Sequence, residues 1–293
     1  MGRSIGCADS FLAGSLGGWV MDITTQEILA ITAGHVVLGQ RYGQLDALPY
    51  HESGQTIMQP ADPDFEETLT EAERVLKTAH MKSEQCGFMN PKLEHYRLEA
   101  QTHVNKLKLL GAQRIFGTVL HGGVDIVTGS EDSNRRMFKD YGIISSLAAR
   151  VGDCAYGFLG TPLTLANGQT SVYEGQEVFK SFTRSSGQTD GKVNGIHLDT
   201  NMSCRLLKQP QAEITHEWIA IGENNGPMSA PGDSGALLMN VDDYVVGMVI
   251  GGMTNTWVEN RQRFFNNITI FTPAEQLLKW MKEDLGRDVV FGA

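Results

Sequence analysis

Two spacings of apolar residues divide this 293-residue chain. Over most of its length they come in short runs closed by glycine or polar residues, such as Trp19-Val20-Met21, Ile28-Leu29-Ala30-Ile31, Leu237-Leu238-Met239 and Val245-Val246-Gly247-Met248-Val249-Ile250. Short apolar runs between turn residues predict strands. Gly17 to Asp22 and Glu27 to Thr32 predict a hairpin turning through Thr24-Thr25-Gln26. Between Asp64 and Gly111 the period changes. Leu69, Ala72, Leu76, Ala79 and Cys86 follow at alternating steps of three and four, with Ser83 the one break, which is the spacing of a helix face. Asp64 is placed to cap that helix, with Glu67 three positions on. A second helix is expected after Asn90 as cap and Pro91 as first helical residue. It would bury Leu93, Tyr96, Ala100, Val104, Leu107 and Leu110 and stop at Gly111. A last amphipathic helix, about 273–285, would bury Leu277, Leu278, Trp280 and Met281.

Composition suits strands joined by many turns, since the chain holds 33 glycines and 41% hydrophobic residues. Without the helical hairpin at about 62–111, roughly 240 residues remain, a length at which all-β units run as one domain. The balance of 24 basic against 34 acidic residues gives a formal charge of −10. Such a chain repels phosphate backbones and anionic lipid surfaces, so neither nucleic acid nor a membrane is an expected partner. No run of about 20 apolar residues is present to span a bilayer, and no apolar signal core stands near Met1. Cys7, Cys86, Cys154 and Cys204 fall in no metal-ligand pattern, and His80, His95 and His103 on the hairpin have no cysteine or carboxylate at a convincing spacing. Neither a metal nor a cofactor is expected.

Three segments carry candidate chemistry. Gly232-Asp233-Ser234-Gly235 looks built to expose one hydroxyl, Thr32-Ala33-Gly34-His35 ends a strand-like run on a histidine, and Asp140 stands just ahead of Tyr141-Gly142-Ile143-Ile144. A serine hydroxyl is a poor nucleophile until a base accepts its proton. His35 could be that base if a carboxylate, Asp140, holds its other nitrogen and stabilises the imidazolium. Gly232 allows a tight turn, so that the amides of Gly232 and Ser234 could serve as an oxyanion hole. Each segment alone is weak, because glycine, aspartate and serine are ordinary turn residues. Asp125 and Asp132 are the nearest substitutes for Asp140.

Together the three segments resemble those of trypsin-like serine peptidases of the chymotrypsin fold, in the order histidine, aspartate, serine. That template separates its three residues by about 45 and then about 93 positions. Here the second gap agrees and the first is longer by about 60, which the helical hairpin accounts for. The stretch from Phe182 to Val193 resembles a glycine-punctuated hairpin of intracellular, notably fungal, relatives. The resemblance implies an all-β fold of two six-stranded antiparallel β-barrels with a helical insertion and a C-terminal helix. The halves would be about 1–150 and 151–293. It also implies an acyl-enzyme mechanism on protein or peptide substrates, with Met228, Ile250, Gly251 and Gly252 binding the substrate side chain. Met228 stands where trypsin has an acid, so an uncharged residue before the cut is expected.

Secreted members carry a cysteine directly after the histidine, where this chain has Val36. With no signal core, a cytoplasmic, reduced setting follows. Family zymogens release an amino terminus that pairs with the aspartate before the serine, here Asp233. No Ile-Val-Gly-Gly start is present, so either another group satisfies Asp233 in a ready-made site or activity awaits a trigger. The inserted hairpin is either padding or a docking surface for a protein. The competing functional reading is a catalytically silent scaffold or binding module.

Overall fold

The short apolar runs form strands, and the segment of helical spacing forms two helices. The computed structural model describes residues 4–38, 54–85, 90–111, 113–128, 135–148, 168–180, 183–201, 213–223, 226–253, 256–258, 261–263 and 268–292. In chain order the strands of the first half are β1 (Ser4–Cys7), β2 (Gly14–Ser15), β3 (Gly18–Asp22), β4 (Ile28–Thr32), β5 (Thr56–Met58), β6 (Ile115–Thr128) and β7 (Arg136–Ser146). Those of the second are β8 (Glu177–Lys180), β9 (Thr189–Val193), β10 (Leu198–Thr200), β11 (Thr215–Gly222), β12 (Leu237–Met239), β13 (Val245–Gly252), the ribbon β14 (Thr256–Val258) and β15 (Arg261–Arg263), β16 (Ile268–Pro273) and β17 (Val289–Phe291).

Two antiparallel sheets result, and the fold is the expected chymotrypsin-like double barrel. The second has the order β10-β11-β16-β13-β12-β8-β9, and β9 also pairs with β11, closing a ring of six strands. The first differs from the expected six strands. Its order is β17-β3-β4-β7-β6-β5-β1-β2, eight strands, because the opening segment divides into two and β17 crosses back from the chain's end to pair with β3. Gly17 N donates to Ile31 O at 2.9 Å and Thr32 Oγ1 to Ser15 O at 2.8 Å. These bonds fold the β2 end of the sheet over the end of β4.

The predicted β3–β4 hairpin is present, with Val20 opposite Leu29. A four-residue helical turn, α1 (Gly34–Val37), follows β4 directly. Helices α2 (Asp62–Gln85) and α3 (Pro91–Gly111) make the inserted hairpin. Asn90 Oδ1 accepts from Lys92 N at 3.0 Å, the predicted cap. The first helix starts earlier than expected. Its opening bond runs from Phe65 N to Ala61 O, and Pro63 is tolerated because the first turn has no intrahelical acceptors to lose. Asp64 therefore lies inside the first turn and is not its cap.

The two helices pack through Ala72, Val104 and Leu107, with Leu69 and Leu76 partly buried. Tyr96 and Leu110, expected inside, are exposed, because α2 covers only one side of α3. Cys86, Cys154 and Cys204 lie outside the described residues. The terminal helix α4 (Ala274–Leu285) buries Leu277, Trp280 and Met281 as predicted and ends on Gly286 at φ 68°. They join a core that includes Val20, Ile31, Phe138 and Ile143 of the first sheet and Val245, Met248 and Ile250 of the second. No helix among the described residues is long and apolar enough to cross a membrane.

Candidate active site

Asp140 is not ahead of a strand but within β7, because the β6–β7 pairing extends as far as Thr128 opposite Arg136. Strand alternation then sets where it points. Its neighbours Lys139 and Tyr141 both reach α4, where Asp284 accepts from Lys139 Nζ at 2.8 Å and from Tyr141 OH at 2.5 Å. Asp140 faces the opposite way, toward α1, with its side chain wholly buried.

There it holds His35 by two bonds. One oxygen accepts the His35 backbone N–H at 2.9 Å and the other lies 2.7 Å from Nδ1. The His35 side chain as a whole keeps 17% exposure. Burial works against protonating His35, but the Asp140 charge and hydrogen bond outweigh it and raise the histidine above its ordinary pKa. Glycine at position 34 permits this approach: a Cβ there would lie 1.9 Å from Gly123 O and 2.8 Å from Tyr141 O. The Thr-Ala-Gly-His spacing thus has a steric cause.

Ser234 is half-buried on a turn pressed against the same region. Its carbonyl accepts from Ser15 N at 2.9 Å. Gly14 lies between the two catalytic candidates, since a Cβ on it would meet Val36 Cγ2 at 2.4 Å and Ser234 O at 2.9 Å. One residue's width therefore separates the serine turn from the residue after His35. Gly232 has φ 98° and Gly235 φ 95°, conformations that favour glycine. A Cβ on Gly235 would also strike Thr32 Oγ1 at 2.3 Å. The amides of Asp233, Gly235 and Ala236 donate to Ala230, Val249 and Asp233 carbonyls. Among the described residues, no acceptor takes those of Gly232 and Ser234, the two expected to face an oxyanion.

Asp233 has a partner that the sequence did not disclose. Lys180 Nζ lies 3.2 Å from its carboxylate with both side chains fully buried. Ser185 N donates at 3.1 Å, Ser186 Oγ at 2.5 Å and Ala230 N at 2.9 Å. Burial alone would raise the Asp233 pKa; hydrogen bonds from Ser186 and Thr183 and the Lys180 charge reverse this and hold it below the usual range. Burial likewise pulls Lys180 below the ordinary lysine value, against the attraction of Asp233. The Asp233 carboxylate is thus paired from within the chain, by Lys180 and the 185–186 segment.

The residues expected to bind substrate divide. Ile250 is buried, Gly251 half-buried and Gly252 exposed. Met228, however, is wholly buried in the second-barrel core with Val178, Leu238 and Phe271, and its carbonyl accepts from Thr189 Oγ1 at 2.6 Å. The next residue reaches toward Gly252 instead. A Cβ on Gly252 would lie 2.8 Å from Ser229 Oγ, which accepts from Thr269 Oγ1 at 2.8 Å. Asp125 is exposed on β6, and Asp132 lies outside the described residues.

Glu217 was also missed. Buried on β11, it accepts the Phe138 amide of β7 at 2.7 Å through Oε1, two residues from Asp140, and so ties the two sheets together. Its Oε2 has no partner among the described residues. Burial pushes its carboxyl up to about 7. The signal that could have found it is an acidic residue at the inward-facing register of a strand, between Thr215 and Ile219.

No family model and no curated protein matches the sequence. Among solved structures, the chain is similar to a glutamic-acid-specific serine protease described as using a novel histidine triad in substrate binding. The two are 13% identical with a TM-score of 0.44, over 99% of this chain and 98% of that one. It is also similar to an inactive form of the Rv3671c protease, at 12% identity and TM-score 0.39 over 96% and 86% of the two chains. A serine-to-alanine variant of Rv3671c from M. tuberculosis gives 11% and 0.38, over 96% and 84%. Which residue does what in this chain is carried by its own geometry.

Proposed function

We propose that this chain is a serine endopeptidase, acting through an acyl-enzyme on Ser234. Ser234 Oγ attacks the scissile carbonyl carbon while its proton passes to His35 Nε2. The tetrahedral oxyanion is met by the amides of Gly232 and Ser234. His35 then gives the proton to the leaving amine, and water repeats the sequence to release the acid. Asp140 fixes the Nδ1–H tautomer and stabilises the imidazolium throughout.

The observation that carries this reading is the double hold of the buried Asp140 carboxylate on His35 N and Nδ1. A carboxylate buried in this way engages Nδ1 and so assigns the proton-accepting role to the other ring nitrogen. The uncharged hydroxyls of Ser229 and Thr269 beside Gly252 favour a substrate with an uncharged side chain before the cut. The absence of a cysteine after His35 favours selective proteolysis inside the cell, with the hairpin 62–111 as a docking surface for a protein substrate or partner.

A fluorophosphonate serine probe tests the reading directly. Wild type should be labelled and Ser234→Ala should not, with an unchanged thermal melt. An unlabelled, folded wild type would leave the silent scaffold as the function.

A further inference from the structure

The inserted hairpin touches the serine turn through a continuous chain of polar contacts. Asp64, in the first turn of α2, receives both Nε and Nη2 of Arg184, at 2.6 and 2.5 Å. Paired, parallel bonds of this kind fix orientation as well as distance. Arg184 in turn lies across the oxyanion turn: a Cβ on Gly232 would meet its Nη1 at 2.3 Å. Its backbone N donates at 3.1 Å to Ser15 Oγ, which donates at 3.0 Å to Gly232 O. The next two residues finish the clamp. Ser185 Oγ donates to Pro231 O at 2.6 Å, and Ser185 N and Ser186 Oγ hold the Asp233 carboxylate.

The segment 183–187 therefore grips residues 231–233 on one side and the hairpin on the other. Arg184 keeps 27% exposure and Asp64 14%, so their pair is shielded but not sealed. Burial opposes ionisation of Asp64, and the hydrogen bonds from Arg184 and Ser4 overcome it, leaving it below the ordinary carboxylate value. Among the described residues Asp64 makes no hydrogen bond or ion pair to the serine turn itself; its polar link to that turn runs through Arg184.

We propose that Asp64 and Arg184 are positioning residues that fix the oxyanion turn, which makes the first turn of the inserted hairpin a working part of the active site. The proposal deepens the peptidase reading and rests on it. Loss of the link leaves the 183–187 segment tied to residues 231–233 but no longer to a rigid helix. The amides of Gly232 and Ser234 then sample positions away from the oxyanion, and misplacement by about 1 Å costs on the order of 100-fold in rate.

The test uses the full chain and a small activated ester that is too short to reach the hairpin. Asp64→Asn and Arg184→Gln should each lower kcat and the rate of fluorophosphonate labelling by on the order of 10- to 100-fold, with KM little changed. The exchange of charges in Asp64→Arg with Arg184→Asp should recover a large part of that loss. Glu73→Gln removes the Lys108–Glu73 pair between the two helices and should leave kcat as it is. If either single variant fails to fold, Arg184→Lys, which keeps the charge and loses the paired geometry, decides the matter by the same readout. Wild-type labelling with unchanged kcat in the folded variants overturns the proposal alone. An unlabelled wild type overturns the peptidase reading and this inference with it.

Discussion

Lys180 Nζ and the Asp233 carboxylate stand 3.2 Å apart, and neither side chain has any exposure to solvent. The ammonium also donates to Thr183 Oγ1, Ser186 Oγ and Gly187 O, at 3.1, 2.6 and 3.1 Å. Removing one partner of such a pair leaves the other charge buried without compensation, which typically costs about 3–5 kcal/mol. Lys180→Met should destabilise the fold by about that much, read from urea unfolding. It should also abolish esterase activity under conditions where the variant is still folded. Replacing both partners, Lys180→Met with Asp233→Leu, removes the uncompensated charge but leaves Ser185 N and Ala230 N without their acceptor, so it should recover only part of the stability and none of the activity. Full activity in either folded variant would remove the pair from the catalytic apparatus.

The raised pKa of His35 fixes the sign of one pH effect. The neutral imidazole is the base, so kcat/KM should climb with pH through a midpoint above 6.5, the ordinary histidine value. With Asp140→Asn the charge that raises the pKa is gone while burial remains. The midpoint should therefore fall below 6.5. Turnover should drop by on the order of 10⁴ as the tautomer is lost. A pH profile of ester hydrolysis for both proteins checks the two effects, and an unshifted midpoint would mean that another group governs the acid limb.

How much of this was legible in the sequence depended on whether the determinant was local. The hairpin of α2 and α3 announced itself through apolar steps of three and four, and Asn90-Pro91 marked the second start correctly. Tyr96 and Leu110 fit the stripe by period, yet period cannot tell how wide a face the neighbouring helix covers. Gly34, Gly232 and Gly235 sat in recognisable motifs because close backbone approach and positive φ demand glycine at those places. Lys180 and Arg184 carried no such mark: each lies on or beside the β8–β9 hairpin, while its carboxylate partner is far off along the chain. Met228 was assigned to the pocket by counting back from the serine. The fold turns it into the core, and Ser229, one residue on, takes the place facing Gly252. β17 escaped notice because three apolar residues in a row are common, and only the return of the chain after α4 makes them a strand.

Glu217 couples the two barrels to pH. It holds its proton to about 7 in the folded protein, against 4.5 for an ordinary glutamate, chiefly because it is buried. Between those values the folded state binds more protons than the unfolded one, so this group's contribution is full below 4.5 and is lost as pH rises toward about 7. The loss amounts to roughly 3 kcal/mol. Glu217→Gln keeps an oxygen for the Phe138 amide and cannot ionise. Urea unfolding at pH 5 and pH 7.5 should show wild type losing about 2 kcal/mol more than the variant between the two conditions, because at pH 5 the unfolded glutamate is already largely ionised. Equal losses would mean that Glu217 ionises at its ordinary pH.

Gly34→Ala tests whether the histidine's position is set by backbone contact alone. The added methyl would sit 1.9 Å from Gly123 O and 2.7 Å from Gly123 C, with Tyr141 O at 2.8 Å. No flexible side chain is there to yield; the obstacles are the main chains of β6 and β7. Either α1 moves outward, or the β6–β7 pairing opens beside Asp140. The first outcome stretches the 2.9 and 2.7 Å bonds between His35 and Asp140, and the second displaces Asp140 itself. Overpacking of this kind costs about 1–3 kcal/mol or more, and the catalytic loss should exceed what that destabilisation explains. The variant is therefore expected to lose at least about 100-fold in kcat at a temperature where it is fully folded. Its pH midpoint should fall with it, because a His35 drawn away from Asp140 loses the charge that raises its pKa. A folded Gly34→Ala protein with wild-type kcat and an unshifted midpoint would show that the His35–Asp140 geometry does not depend on this close approach.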